Sequence, residues 1–295
     1  MLLKTHFRGT DYDTYCDAYC YTGGKAFDPT LPTAVFIHGG QNDHSVWILQ
    51  TRYFAHHGFG VLAVDLPGHG RSQGPALATI EELSDWLNSL LDAAGVTKAI
   101  LVGHSMGSLI ALETAGRAAS SARIAGIALV GTAYPMKVAD ALLDAANNAQ
   151  QSAIDMVNIW SHSTISPKPS APGPGFYVQG ASQRLMQRIA RQSESKPTVF
   201  YTDFAACNSY ANGEQASQAV TCPTLFLLGQ RDVMTPAKAA AGLITAIKHA
   251  KVVQVEASGH ALMAEQPDAV LDHLFKFATA ALRSPSAVAA AIKGD

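Results

Sequence analysis

The chain is poor in charge. Of its 295 residues 15% are charged, 21 Lys and Arg against 23 Asp and Glu, for a formal net charge of −2. That balance leaves no basic field to hold nucleic acid and no basic amphipathic stretch for a membrane surface. Long apolar runs are missing too: none reaches the roughly 20 residues that a bilayer span requires. The opening stretch Met1-Leu2-Leu3-Lys4-Thr5-His6-Phe7-Arg8 lacks the apolar core of a signal peptide. These absences predict a soluble, cytoplasmic protein. Cysteine is scarce, with four residues at Cys16, Cys20, Cys207 and Cys222. Their spacing matches neither paired zinc ligands nor a secreted disulfide framework, so free thiols are expected. No pair of histidines has metal-ligand spacing joined by a carboxylate, and no phosphate loop or dinucleotide fingerprint occurs. Neither a metal nor a cofactor is expected.

What is present is apolar mass, 48% of the chain, enough for a sizeable core. It is distributed in short runs. Segments 33–37, 60–65, 98–102, 124–130, 224–228 and 252–255 are continuous apolar stretches of the kind buried on both faces in a parallel sheet. An earlier strand is expected over 12–21, where Tyr alternates with small or polar residues. Cys16 and Cys20 would then share one face of it. Helical periodicity fills the intervals. Thr79-Ile80-Glu81-Glu82 forms a capping box before an amphipathic run ended by Gly95. Other helices are expected over 50–57, from after Pro236 to about 249, and over 267–282. Strand and helix in alternation define an α/β fold, a mainly parallel sheet flanked by helices.

The rhythm breaks once. Between Gly131 and Cys222 no buried strand is predicted. Helices are expected over 137–151, 153–160 and 182–191, around the proline-rich stretch 166–175. The expected organisation is a core of residues 1–131 and 222–295, interrupted by a helical cap at 132–221. Apolar residues there, Ile154, Met156, Val157, Ile159 and Trp160, are expected mostly as core of the cap. The tail 284–295 is alanine-rich, and fraying is expected there.

The most informative string is Gly103-His104-Ser105-Met106-Gly107. It sits between an apolar strand and a run of helix formers, the context of a nucleophile elbow. Glycines two before and two after let strand and helix approach closely. The helix start aims backbone N–H groups and a positive dipole end at any anion formed there. His38-Gly39-Gly40-Gln41 ends an earlier strand and can supply a second N–H, with Gly40 the first choice and Gln41 the alternative. Two further residues fall just after strands: Asp232 in Gly229-Gln230-Arg231-Asp232, and His260 in Ser258-Gly259-His260. A serine hydroxyl needs a base, histidine titrates in the right range, and a carboxylate fixes the imidazole tautomer. Catalytic Ser105, Asp232 and His260, with Gly40 and Met106 as oxyanion-hole donors, form the predicted site. Asp65 and His69 are read as loop-structuring residues. His104 is read as packing behind the sheet, and His44, His56 and His57 as surface or loop residues.

The order Ser, Asp, His, with Asp65-x-x-Gly68-x-Gly70-x-Ser72 and Gly229-x-x-Asp232-x-x-x-Pro236, resembles the α/β-hydrolase fold superfamily, in its esterase-like form with an inserted helical cap. One departure is Ser108, where many relatives have glycine, and little consequence is expected. Haloalkane dehalogenases and epoxide hydrolases of this fold carry aspartate at the nucleophile position, so Ser105 argues against both. The resemblance implies a small-molecule substrate and a carboxylic ester hydrolase working through an acyl-enzyme. C–C bond hydrolysis or lactone opening on the same residues is the alternative. A non-catalytic ligand-binding protein on the same fold is the alternative of another class.

Overall fold

A computed structural model of the chain describes residues 1–8, 13–117, 123–163, 178–192, 196–248 and 250–283. The proline-rich stretch 166–175 and the tail 284–295 lie outside these residues. Eight strands form one sheet: β1 (Leu2–Arg8), β2 (Asp13–Tyr21), β3 (Thr33–Ile37), β4 (Gly60–Val64), β5 (Ala99–His104), β6 (Ile124–Val130), β7 (Thr224–Gly229) and β8 (Ala250–Val255), in the order β1-β2-β4-β3-β5-β6-β7-β8. β1 pairs antiparallel with β2, and β2 with β4; every other pairing is parallel. The strand β1 is not anticipated from sequence, because its seven residues mix polar and apolar side chains without strict alternation.

Every residue of β3, β4, β5 and β7 is buried. Helices cover both faces, so both sets of alternating side chains lose water. On one face Val35, Leu62, Leu101, Ile127 and Phe226 pack against α2 (Ile80–Ala93) and α3 (Met106–Gly116). On the other, Phe36, Val61, Val102, Val130 and Leu227 pack against α1 (Ile48–His56) and α11 (Pro267–Leu282). α2 starts at the predicted capping box. Thr79 Oγ1 accepts the Glu82 N–H at 3.1 Å, and the Glu82 carboxylate accepts the Thr79 N–H at 3.2 Å. Gly95 closes it at φ 66. Cys16 and Cys20 are free and lie in β2, with Cys20 buried and its thiol pushed up to about 12 by burial. β8 is the sheet edge opposite β1 and is less buried than the central strands, with Lys251, Val252 and Gln254 exposed.

Among the described residues five helices separate β6 from β7: α4 (Asp140–Asn148), α5 (Gln150–Ser161), α6 (Val178–Ala190), α7 (Val199–Ser209) and α8 (Gly213–Ala219). The sequence expectation ran 137–151 as one helix and left 192–221 unassigned. The break at Ala149, with φ −144 and ψ 59, ends α4 and starts α5. Leu142, Ile154, Val157, Met186 and Phe200 form a hydrophobic cluster of their own. Ile159 and Trp160 do not join it. They are 62% and 39% exposed, which corrects their expected place in a core. After β7 a 3-10 turn leads into α9 (Ala241–Ala246), and after β8 the short α10 (Leu262–Glu265) precedes α11.

Candidate active site

Ser105 stands between β5 and α3 at φ 52 and ψ −119, a conformation that costs an L residue about 1–3 kcal/mol. The two flanking glycines allow it. A Cβ on Gly103 would fall 2.0 Å from the Gly107 carbonyl oxygen, and one on Gly107 would fall 2.4 Å from the Ile37 carbonyl oxygen. Only glycine lets the strand, the turn and the helix approach this closely. Ser108 is more than a spectator. Its hydroxyl donates to the Ser105 carbonyl at 2.5 Å and pairs with Thr132 Oγ1 at 2.8 Å, tying the turn to the end of β6.

The loops after β7 and β8 bring Asp232 and His260 together. His260 Nδ1 lies 2.8 Å from Asp232 Oδ2 and 3.0 Å from Thr235 Oγ1. Asp232 Oδ1 accepts the Met234 and Thr235 N–H groups, and Oδ2 accepts the Thr235 hydroxyl at 2.7 Å. Burial works to raise the Asp232 carboxyl. The His260 imidazole and the bonds from His260 and Thr235 outweigh it and hold that carboxyl well below the usual carboxylate range. With Nδ1 facing a carboxylate, the proton of neutral His260 belongs on Nδ1, which leaves Nε2 as the base nitrogen.

His260 and Ser105 are held by common neighbours. The Ser105 N–H donates to Val130 O at 2.9 Å. A Cβ on Gly131, the next residue, would sit 3.2 Å from His260 Nδ1. His104 lies 4.7 Å from His260 ring to ring, and its Nε2 donates to the His260 carbonyl. His104 thus belongs to the His260 loop rather than packing only behind the sheet.

Of the predicted N–H donors, Gly40 and Met106 have no acceptor among the described residues. The Gln41 N–H is already committed to Asp203 Oδ2 at 2.7 Å. Met106 opens α3, where first-turn N–H groups lack intrahelical partners. A Cβ on Gly39 would lie 3.1 Å from Ser105 Cβ, so this turn runs directly beside the serine.

Asp65 behaves as expected of a loop-structuring residue, whereas His69 reaches outside its loop to Asp203. Asp65 accepts the N–H groups of His44 and Arg71, and faces His44 Nδ1 at 2.7 Å. His44 is therefore half-buried and paired, whereas His56 and His57 are exposed. Asp43, His44 and Asp65 bring ligand atoms within 4.8 Å of one another. Asp43 nevertheless bonds Ser45 and Arg188, and Asp65 is filled as above, so these atoms already have partners. Sequence reasoning missed Thr235, Asp203 and Glu265. Thr235 was detectable, since Asp-x-x-Thr after a strand is a side-chain-capped turn. Asp203 and Glu265 carry no local signal. Glu265 is buried and accepts the Gly259 N–H at 2.6 Å, beside His260.

A parallel sheet with a strained serine after its fifth strand and an Asp–His pair at the ends of the last two defines the α/β-hydrolase class of folds. The sequence pattern described as the alpha/beta hydrolase family matches residues 34–273, and the chain belongs to that family. It is 26% identical over 240 residues to an (E)-2-((N-methylformamido)methylene)succinate hydrolase of Acinetobacter baylyi, covering 80% of this chain and 86% of that one. Among solved structures it resembles an esterase from Exiguobacterium antarcticum, with TM-score 0.76 and 18% identity over 94% of this chain and 100% of the other. It also resembles the enol-lactonase from Burkholderia xenovorans, with TM-score 0.75 and 23% identity over 90% and 97%. Among the described residues no helix is long and apolar enough to cross a membrane.

Proposed function

We propose that this protein is a serine hydrolase of carboxylic esters, with Ser105 as nucleophile, His260 as general base and acid, and Asp232 as the orienting carboxylate. The observation that carries this reading is the buried His260–Asp232 pair at 2.8 Å, in a chain whose strand-to-helix turn holds a serine at φ 52. In the first half-reaction Ser105 Oγ bonds the ester carbonyl carbon while its proton passes to His260 Nε2. The carbonyl oxygen becomes an oxyanion that accepts the N–H groups of Gly40 and Met106, each such donor worth about 3–4 kcal/mol in the transition state. The C–O bond to the alcohol then breaks, and His260 returns the proton to the leaving oxygen. A water molecule repeats the sequence on the acyl-enzyme and releases the acid. Asp232 stays ionised throughout and stabilises the imidazolium.

Residues 132–221 are proposed to form a lid over this site. Support comes from the separate cluster formed by the helices between β6 and β7, and from Phe204 against Gly40. The test is a panel of aryl and short-chain acyl esters assayed with wild type and Ser105→Ala. Hydrolysis by the wild type and its loss in the variant support the reading, and a wild type inert across the panel refutes it. Lactone opening on the same residues is a second reading, favoured by the likeness to the enol-lactonase. A lactone panel run beside the esters separates the two.

A further inference from the structure

Asp203 lies in α7, between the strands that carry the proposed catalytic residues, and is 2% exposed. Its Oδ2 accepts the Gln41 N–H at 2.7 Å and lies 2.8 Å from His69 Nε2. Gln41 follows the proposed oxyanion donor Gly40 and stands at φ 57, a left-handed conformation that a non-glycine residue keeps only when its surroundings hold it. The holding contacts come largely from helices between β6 and β7. Gln41 Nε2 donates to the Met186 carbonyl of α6 at 3.0 Å, and Asp203 of α7 takes the backbone N–H. Asn42 Nδ2 donates to the Gly40 carbonyl at 3.1 Å, so the peptide between Gly40 and Gln41 is bonded at both its N–H and its C=O. A Cβ on Gly40 would meet the Phe204 ring at 3.1 Å and Asp203 Cβ at 3.2 Å. The residue that offers the N–H is thus seated against Asp203 and its neighbour.

A lone buried carboxylate here would oppose an oxyanion forming beside Gly40. The structure supplies its counter-charge. His69 Nδ1 faces the Pro67 carbonyl at 3.0 Å while Nε2 faces Asp203. Both ring nitrogens point at acceptors, an arrangement that only the imidazolium satisfies in full. The Asp203–His69 pair is then close to neutral as seen from the site.

We propose that Asp203 is a positioning residue that fixes the Gly40 N–H for oxyanion binding, with His69 as its charge partner. This rests on the reading of Gly40 and Met106 as oxyanion donors. The helices between β6 and β7 therefore serve as the outer wall of the oxyanion hole as well as a lid.

The experiment compares wild type, Asp203→Ala, Asp203→Leu and Asp203→Asn on a p-nitrophenyl ester, with affinity for an aryl trifluoromethyl ketone as a mimic of the tetrahedral adduct. Leucine has nearly the shape of aspartate without its acceptor and serves if the alanine variant does not fold. In the alanine or leucine variant kcat should fall about 100-fold with KM changed less than about threefold, the scale of a lost oxyanion donor. Ketone affinity should fall by the same factor as kcat/KM. Asparagine keeps an oxygen for the Gln41 N–H and should recover at least about tenfold in kcat. A wild-type kcat in the alanine or leucine variant, a loss confined to KM, or no recovery with asparagine overturns the proposal. A wild type that neither hydrolyses the ester nor binds the ketone removes the parent reading itself. That outcome is distinct from an active enzyme indifferent to Asp203.

Discussion

The ring of His104 donates from Nε2 to the carbonyl oxygen of His260, 2.8 Å away. The last residue of β5, directly before the proposed nucleophile, thus fixes the loop that carries the proposed base. Nε2 holds the proton, and burial pushes the imidazole down to about 3, so the ring stays neutral. Replacing His104 with Phe keeps an aromatic ring and removes the donor. The His260 carbonyl then loses its bond, at a cost of about 1–3 kcal/mol in stability. The expected outcome is a fall in Tm together with a roughly tenfold lower kcat, read by calorimetry and ester kinetics. An unchanged kcat would mean that His104 holds the fold and not the base.

Asp232→Asn tests the orienting carboxylate. An asparagine can offer its amide N–H to Nδ1 and so stabilise the wrong tautomer, with the proton on Nε2. A loss of about 10⁴-fold in kcat at neutral pH is expected, with the fold intact. Retention of more than a tenth of the activity contradicts the assignment. Thr235→Val removes one hydroxyl from the same carboxylate and should cost far less, about tenfold.

Gly107→Ala should not yield a native protein. Its Cβ would lie 2.4 Å from the Ile37 carbonyl oxygen and 2.7 Å from that of His38, and backbone on both sides cannot yield. Soluble expression with a wild-type Tm would contradict the close approach. Gly58→Ala is a contrasting control. Nothing lies within 4 Å of a Cβ there, so only the strain at φ 90 is incurred, about 1 kcal/mol.

Acid should weaken the fold before its carboxylates titrate. Burial presses His38 down to about 4, assisted by nearby His69, and His104 to about 3, both from an ordinary 6.5. His38 accepts the Leu66 N–H at Nε2, which a protonated ring cannot do. The unfolded chain takes up these protons near pH 6.5 and the folded chain does not. Their stabilising effect is therefore complete above pH 6.5 and is lost as pH falls from there toward 4 and 3. Tm measured between pH 7 and 4.5 should decline, and His104→Gln should decline less steeply than wild type. Equal slopes would show that the ring carries no such linkage.

Much of this architecture is legible in the sequence because parallel strands buried on both faces appear as unbroken apolar runs, as in Thr33–Ile37 and Ile124–Val130. The capping box at Thr79 and the glycines about Ser105 are equally local signals. β1 is illegible because an antiparallel edge strand needs no apolar run. α7 and α8 are missed because polar and small buried residues, such as Thr202, Asp203, Ala216 and Ser217, interrupt any apolar periodicity. The Asp203–Gln41 bond spans 162 residues, and no spacing rule reaches that far. What the sequence places least well is therefore the support of the site rather than its candidate reacting groups.

The central claim is that Ser105 is the nucleophile, activated by His260. The most direct measurement is reaction of the purified protein with a fluorophosphonate, followed by mass spectrometry of the peptides. The account predicts one adduct, on the peptide bearing Ser105, absent in Ser105→Ala and formed far more slowly in His260→Ala. Wild-type protein that stays unlabelled, or an adduct that persists in Ser105→Ala, would contradict it.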